Sequence, residues 1–455
     1  MRLFTRGEGG AGELIAVAYP LILSTASNTV MQFINRVFLA HYSPDALAAC
    51  VPGGLLAFTF GCFFIGTATY TNAFVSRYHG KGKTASVSVA VWQGVWLGLT
   101  SGIILLALTP LGFFIINHSG HAPAVIVLEK QYFFILNAGG VIAITNTALS
   151  AFFTGRGKTK VPMAVNIAGN ALCVLLSWLL IFGAGPLPAL GMRGAGFAAV
   201  AGQLLMLALY LKIIFSPYNR RRYRTARLIG IHKGLFIRLV KYGAPNGVGF
   251  FLDVASFAAF IFLIGGLDKI SLAASNIIAS INMIAFMPVI GLGLAALTLV
   301  GKYIGMKKPD VSVRVSYNAA KLAALYALGL GILFTAVPGL FVNIFGSGNS
   351  AEYAEILAKS RPVMKVLAVF VFFDAIGMIF ADVLRGAGDT RFQMLGGSAA
   401  AWLLFVPGVW YITHRAGGEL IHAWAWGGFY VFLLSVFFTL RFRSGLWRKI
   451  DILKG

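Results

Sequence analysis

Twelve long apolar runs follow one another along this 455-residue chain, separated by short polar segments. A helix that crosses a bilayer needs about 20 consecutive, mostly apolar residues, and each run reaches that length. The pattern therefore predicts an all-α integral membrane protein with twelve transmembrane helices. We expect these helices over residues 14–41, 47–76, 86–116, 127–153, 162–184, 194–216, 237–266, 271–301, 313–345, 361–384, 393–414 and 422–441.

The second six runs repeat the first six in the same order, because short sequence pieces recur at a nearly constant separation. Three pairs share one separation: Pro20 and Pro245, Leu47-Ala48-Ala49 and Leu272-Ala273-Ala274, and Arg77-Tyr78-His79-Gly80 and Lys302-Tyr303-Ile304-Gly305. At a slightly larger separation, the piece at 155–160 recurs at 386–391. Such a parallel repeat is typical of transporters that work by alternating access. We predict two six-helix lobes, residues 1–216 and 237–455, joined by a basic linker at 217–236.

The composition fits a lipid environment. Hydrophobic residues make up 58% of the chain, charged residues make up only 11%, and the mean hydropathy is +0.82. A soluble domain would carry roughly 25% charged residues. The formal net charge of +23 could indicate a nucleic-acid partner, but the basic residues lie mostly in short loops between apolar runs. That placement favours anchoring at the cytoplasmic face, so no nucleic-acid partner is expected.

Basic residues are concentrated in every second loop, in the linker and at both termini. By the positive-inside rule, this asymmetry predicts a multi-pass protein of the cell inner membrane with both termini and the linker in the cytoplasm. In the linker, Arg220, Arg221 and Arg222 are expected to contact anionic lipid at the membrane surface. The three cysteines lie within apolar runs and are predicted to be core residues rather than disulfides or metal ligands.

Two of the fourteen acidic residues lie in the middle of predicted membrane helices, Asp253 in the seventh and Asp374 in the tenth. A carboxylate at membrane depth is costly, so it usually faces a cavity and marks the path of a proton, an ion or an organic cation. The alternative is a protonated Asp that hydrogen-bonds a neighbouring helix. We interpret both as cation-coupling residues and candidate sodium ligands, because no basic residue lies within one helical turn. Asp382 differs, because Arg385 follows three residues later and can pair with it.

The first half has no acid at this depth and carries amides instead. Asn28, Gln32 and Asn35 are spaced to lie on one face of the first helix. The predicted substrate cavity comprises these three side chains together with Asn137, Asn166, Asn170, Asn282 and Phe370. Taken singly, such amides more often hydrogen-bond a neighbouring helix, and both roles stay open.

Several short motifs occur in a fixed order along the chain. The proline of the first helix is followed by Phe33-Ile34-Asn35 and Leu47-Ala48-Ala49; Gly191-Met192-Arg193-Gly194-Ala195-Gly196 precedes the sixth helix, and Leu384-Arg385-Gly386-Ala387-Gly388-Asp389-Thr390-Arg391 follows the tenth. With these motifs the chain resembles the multidrug and toxic-compound extrusion (MATE) family over essentially its whole length. The resemblance implies export of cationic, often aromatic drugs in exchange for sodium ions or protons, with no other cofactor. Small organic cations and membrane lipid are the expected partners of a monomeric protein.

NorM-like members of that family have an acid eight residues after the proline of the seventh helix, which is Asp253 here, and an acid in the tenth helix, which is Asp374 here. The resemblance implies that both bind the coupling ion. This chain departs from the family's pattern elsewhere. Phe370 stands where some members have a tyrosine, and Asn35 and Val174 stand where many have acids. We therefore expect coupling to depend on the C-terminal lobe, while the amides of the first half shape the substrate cavity.

Two other functions stay open. A membrane-embedded enzyme would need a nucleophile or a metal set. The seven histidines lie mostly in loops, and no HExxH motif or paired Cys/His spacing occurs, so no catalytic residue is predicted. A lipid-carrier flippase of the wider superfamily would be related to this family but usually has more membrane spans.

Overall fold

The computed structural model describes residues 7–183, 188–226, 230–345 and 351–453. Every regular element among these residues is helical, and twelve of the helical segments are long and apolar enough to cross a membrane. The prediction of an all-α membrane protein with twelve spans is confirmed.

The helices follow the order predicted from the apolar runs. The first half contains α1 (Ala11–Tyr42), α2 (Pro44–Thr69), α3 (Thr71–Gly80), α4 (Thr84–Ala107), α5 (Thr109–Asn117), α6 (Pro123–Thr154), α7 (Lys160–Phe182) and α8 (Met192–Ile214), and the linker contains α9 (Pro217–Tyr223). The second half contains α10 (Lys233–Gly265), α11 (Lys269–Gly305), α12 (Pro309–Ala336), α13 (Pro338–Val342), α14 (Ala351–Ala387), α15 (Thr390–Ala400), α16 (Val406–His414) and α17 (Leu420–Arg443). The π-helical residues Ala401–Phe405 join α15 and α16 into one span.

The third and ninth apolar runs are each divided into a long helix and a short one. The divisions fall at Leu108 and Val337. In each case a proline, Pro110 or Pro338, takes one of the first two positions of the short helix that follows. A proline is tolerated there because its missing N–H would have no partner within the helix. The second run is also divided, at Tyr70 between α2 and α3, so the expectation of one unbroken helix for each run was wrong in these three runs.

One compact unit contains the described residues up to Ile22 together with Gly249–Asp451. Its central helix is α14, which packs against α11, α12 and α17. Its core consists of apolar side chains from these helices, among them Val315, Leu367 and Ala375, which are fully buried. The helix that carries one of the two predicted coupling acids is therefore fixed by neighbours on three sides.

The other compact unit contains Leu23–Val248 and the described residues from Ile452 onwards. Here α6 is central and packs against α2, α4 and α8, while α7 packs against α8. Because α6 and α14 hold the same place in the two sequence repeats, the repeat in the sequence is matched by a repeat in the packing. Glycine permits close packing of α4 on α6. A Cβ atom at Gly98 would lie only 3.0 Å from the backbone of Thr145, so a larger residue there would push the two helices apart.

The division between the units falls inside α1 and α10, shortly after Pro20 and Pro245. The first part of α1 therefore belongs to the unit that the second repeat otherwise forms. The lobes at 1–216 and 237–455 were defined from the sequence repeat, so each keeps its first helix whole. In the compact units, the first part of each of these two helices belongs to the other unit. That lobe division, with its linker at 217–236, stays a prediction.

Polar contacts fix the first part of α1 within its unit. The carboxylate of Glu13 accepts hydrogen bonds from the Lys302 ammonium at 2.9 Å and from the Tyr303 hydroxyl at 2.6 Å. The Asn318 amide donates to the carbonyl of Gly9 at 2.9 Å. These bonds tie α1 to the end of α11 and to α12, which explains why the residues before Pro20 pack with the second repeat.

Candidate cation site

Asp253 and Asp374 lie near the middle of α10 and α14, in the same compact unit. Asp253 is exposed and Asp374 is half-buried, so neither side chain is packed into the core. The two carboxyl groups are close enough to interact electrostatically. Neither makes a hydrogen bond or an ion pair through its side chain within the described part of the chain. The two carboxyl groups thus lie within electrostatic range of each other, and neither has a direct partner in the described part of the chain.

The sequence left two interpretations of Asp253 and Asp374: a cation site, or protonated side chains that hydrogen-bond a neighbouring helix. The lack of direct partners bears on this choice. An Asp at the centre of a membrane helix costs roughly 3 kcal/mol, and a purely structural Asp would recover part of that cost through a hydrogen bond to a neighbouring helix. Asp253 and Asp374 have no such bond among the described residues. Their arrangement therefore favours a site that receives a cation.

A tyrosine from a third helix joins this pair. The phenol of Tyr430, on α17, interacts electrostatically with both Asp253 and Asp374. Phe370, one turn before Asp374, has no side-chain oxygen. The phenol of Tyr430 provides an oxygen in the same unit. Sequence analysis missed Tyr430 because a tyrosine within an apolar run has the pattern of a core residue. Only the packing of α17 against α14 reveals the association.

Aromatic rings continue from this tyrosine across the unit. The Tyr430 ring stacks on Phe405 with centroids 4.7 Å apart, and Phe405 lies 5.3 Å from Phe260. Trp424 meets Phe260 edge-to-face at 5.2 Å and Phe370 at 6.1 Å. Phe405, Phe260 and Trp424 are buried, so these rings form a continuous aromatic part of the core that adjoins the half-buried Tyr430.

Asp382 has the pairing predicted for it. It is buried and forms an ion pair with Arg385. The guanidinium of Arg385 also interacts electrostatically with Asp253, without forming a salt bridge to it. Arg385 thus holds Asp382 directly and acts on Asp253 only at longer range.

In the other compact unit, a cavity of about 150 Å³ lies among α1, α6, α7 and α8. Asn170 lines it, donating to the Ser27 hydroxyl at 3.0 Å. Asn35 contacts the wall of the cavity, because its amide donates to the sulfur of Cys173 at 3.6 Å. The carbonyl oxygens of both amides are buried without a donor among the described residues. This cavity therefore has free acceptors, but no carboxylate lines it.

Two other predicted cavity residues hydrogen-bond between helices. Asn166 on α7 donates to the Ser24 hydroxyl on α1 at 2.5 Å. Asn137 on α6 donates to the Leu105 carbonyl at 2.7 Å and to the Thr109 hydroxyl at 3.0 Å. Asn137 thus secures the division between α4 and α5, where the turn frees backbone acceptors. Asn166 and Asn137 therefore both have the structural role that the sequence left open, a hydrogen bond to a neighbouring helix. Any contact of these two residues with substrate stays a prediction.

The remaining predicted amides have different surroundings. Asn28 and Gln32 are exposed on α1, whereas Asn35 of the same stripe is buried. Asn282, on α11, has a buried carbonyl oxygen with no donor among the described residues. Their assignment to a substrate cavity stays a prediction.

The described residues contain no group of three or more His, Cys, Asp or Glu side chains that could hold a metal ion. For the predicted sodium site, the charged ligands would be the carboxylates of Asp253 and Asp374. Hard cations prefer oxygen ligands, and the phenol of Tyr430 is a further oxygen close to both acids. Binding of a coupling ion by these residues stays a prediction.

The MatE family model matches the chain twice, at residues 20–179 and 245–410. The two matches begin at the two repeated prolines, Pro20 and Pro245, and together they cover more than half of the chain. The chain belongs to the MatE family. Asp253 and Asp374 both lie within the second match.

Relatives match nearly the whole MATE chain. The protein named probable multidrug resistance protein NorM from Thermotoga maritima is 26% identical over 451 residues, covering 97% of this chain and 94% of the relative. Multidrug resistance protein PmpM from Pseudomonas aeruginosa is 27% identical over 405 residues, covering 87% of this chain and 82% of PmpM. A solved outward-facing structure of a multidrug resistance MATE family transporter covers 98% of both chains with a TM-score of 0.87 and 16% identity, and it is similar in fold.

Membership of the MATE family confirms the resemblance drawn from the sequence motifs. The protein is a multi-pass membrane transporter that binds small organic substrates, and it is not an enzyme. The alternative of a membrane-embedded enzyme is thereby removed.

Proposed function

We propose that this MATE protein is an antiporter that exports organic cations in exchange for sodium ions or protons by alternating access. The observation that carries the proposal is the pair of carboxyl groups, Asp253 and Asp374, which interact with each other and lack direct partners among the described residues. Two like charges at one place favour the binding of a positive group. An organic cation and a coupling ion can therefore compete for the same pair, and that competition produces exchange.

The side chains around the acids support aromatic cations as the transported class. Coulomb attraction to a carboxylate offsets part of the hydration that a cation loses on leaving water. The ring of the half-buried Tyr430 can add about 0.5–2 kcal/mol through a cation–π contact. The relatives are named multidrug resistance proteins, which supports drug molecules as the transported compounds. An anionic compound of similar size would be repelled.

The proposal is tested by efflux of a fluorescent planar cation from proteoliposomes. The driving force is a sodium gradient alone and then a pH gradient alone. We expect export under at least one of them, none without a gradient, and none of an anion of the same size. The flippase alternative would be supported by two results together: the cation is not exported under either gradient, and lipid-linked sugars compete with it for binding to the protein.

Tyr430→Phe is expected to weaken the apparent affinity for the coupling ion about ten-fold, because it removes the phenol oxygen that we propose as an ion ligand beside the two acids. The ring that stacks on Phe405 is retained, so the protein should stay folded. The measurement is the ion concentration that gives half-maximal efflux. Tyr411→Phe is the matched control, since Tyr411 lies in the same unit and is 59% exposed. An unchanged ion affinity in Tyr430→Phe would remove the phenol from the ion site.

We further infer a location in the cell inner membrane, with both termini and the linker cytoplasmic, on the basis of the basic loops. A cysteine at Arg221 should be shielded from an impermeant thiol reagent in intact cells, and a cysteine at Ser119 should react; both positions are exposed. The three native cysteines are buried and contribute little background. The opposite labelling pattern would reverse the orientation.

A further inference from the structure

An open cavity of about 800 Å³ lies where α12, α13 and α14 meet. Its lining is apolar at Val337, Pro338 and Leu340 and cationic at Arg361 and Lys365. Both cationic side chains are exposed, and neither has a hydrogen bond or an ion pair within the described part of the chain. Because they are four residues apart on α14, they lie one turn apart on one face of the helix.

Two other basic residues that the sequence predicts on the side of the membrane opposite the cytoplasm have partners. The Lys359 ammonium pairs with Asp268 at 3.0 Å, and the Arg193 guanidinium donates to Gln131 at 3.0 Å. The two cations of the cavity are not explained by such a contact among the described residues. They also run against the tendency of basic residues to stay on the cytoplasmic side.

The first repeat provides an internal comparison for this cavity. The segment at 155–160, which follows α6, corresponds to the segment at 386–391, which follows α14, and the same separation relates positions along the two helices. Arg361 corresponds to Lys130, so both repeats have a cation there. Lys365 corresponds to Phe134, so the second cation belongs to the second repeat alone.

Aromatic packing occupies the corresponding place in the first repeat. The ring of Phe113 on α5 lies 6.1 Å from Phe133 and 6.5 Å from Phe134. The ammonium of Lys130 lies 6.0 Å from the same Phe113 ring. In the first repeat, the position that corresponds to the cavity is therefore packed with aromatic rings, and its one cation, Lys130, lies near the Phe113 ring. In the second repeat it is open and carries two cations without partners among the described residues.

We propose that the cavity binds an acidic phospholipid, with the phosphate between Arg361 and Lys365 and an acyl chain along Pro338 and Leu340. Guanidinium and ammonium groups are the common partners of phosphate oxygens, and two of them one turn apart can contact one phosphate together. The apolar wall matches the acyl chain. A phospholipid is also the phosphate-bearing amphiphile that surrounds every membrane span.

This lipid site is separate from the cation site. Lys365 and Asp374 are nine residues apart on α14, which corresponds to about 14 Å along the helix. An organic cation would be repelled by Arg361 and Lys365, so the substrate proposed above does not compete for this cavity. Lipid binding can therefore be tested without reference to transport.

The experiment is equilibrium binding of short-chain phosphatidylglycerol to the purified full-length protein in a neutral detergent, below the micelle-forming concentration of the lipid. Phosphatidylcholine of the same chain length tests the requirement for net negative charge, and glycerol 3-phosphate tests whether the phosphate alone suffices. Removing both cations with Arg361→Gln/Lys365→Gln should weaken binding of phosphatidylglycerol about thirty-fold, and Lys365→Gln alone about five-fold. The charge-retaining Arg361→Lys/Lys365→Arg should stay within a few-fold of the unchanged protein.

Lys130→Gln is the matched control, because it removes the cation at the corresponding position of the first repeat and should leave binding unchanged. Thermal unfolding and size-exclusion profiles establish that each variant is folded, and Lys365→Gln decides the matter if the double variant is not. The proposal is overturned if the folded Gln variants bind phosphatidylglycerol as tightly as the unchanged protein. Equal affinity for phosphatidylcholine would also overturn it, and equal affinity for glycerol 3-phosphate would assign the cavity to free phosphate instead of lipid.

Discussion

Replacing either Asp253 or Asp374 with Asn is expected to abolish ion-coupled export while the protein remains folded in the membrane. Asn has nearly the same shape as Asp, but it has no charge to attract a cation and cannot exchange a proton near neutral pH. At about 4 Å and an effective dielectric constant near 20, one charge pair contributes about 4 kcal/mol, or roughly 10³-fold in binding. The measurement is the initial rate of cation efflux from proteoliposomes under a sodium or pH gradient.

The control for this prediction is the same chemical change at an exposed acid of the same unit. Asp310 is 91% exposed and lies 3.6 Å from Arg448, a separation typical of weak surface ion pairs. Asp310→Asn should therefore leave the rate of export close to that of the unchanged protein. Normal coupled export by Asp253→Asn or Asp374→Asn would show that the corresponding carboxylate is not part of the site.

Asn35→Ala is expected to change substrate affinity or preference while the ion dependence of transport is retained. Asn35 contacts Cys173 at the wall of the cavity in its unit and cannot carry a proton. Asp253→Asn should give the opposite result, with ion dependence lost even where some drug binding survives. Efflux is measured at several drug concentrations, with the ion gradient present and absent.

Asn117→Ala, which removes an exposed amide at the end of α5, is the control for the loss of an amide as such. It should affect neither substrate affinity nor ion dependence. If Asn35→Ala loses its ion dependence while Asp253→Asn keeps coupling, the coupling site lies in the first six spans. That result would contradict the assignment of coupling to the second repeat.

The membrane spans could be predicted from the sequence because hydropathy is a property of each segment by itself. The helix divisions at Leu108 and Val337 could not be found in this way, since the residues on both sides are equally apolar. The motif that marks them is a proline, and Pro20 and Pro245 lie inside helices that continue past them. Whether a proline begins a new helix depends on the packing around it, which hydropathy does not describe.

The acids of the candidate site could be predicted because a charged side chain stands out within an apolar run. Tyr430 does not stand out in this way, and only the packing of α17 on α14 associates it with Asp374. The amides are ambiguous for a related reason. Asn137 and Asn170 look alike in the sequence, yet one secures a helix division and the other lines a cavity. Their roles depend on which acceptors and spaces the neighbouring helices provide.

The central claim is that Asp253 and Asp374 bind the organic cation and the coupling ion in competition. The most direct test is equilibrium binding of a fluorescent cation to purified protein, with and without sodium and across a range of pH. Because linkage is reciprocal, an ion that shares the site must lower the affinity for the cation. We expect sodium or protons to lower it strongly in the unchanged protein and to have no effect in Asp253→Asn/Asp374→Asn. A full ion effect that survives in this folded double variant would contradict the claim.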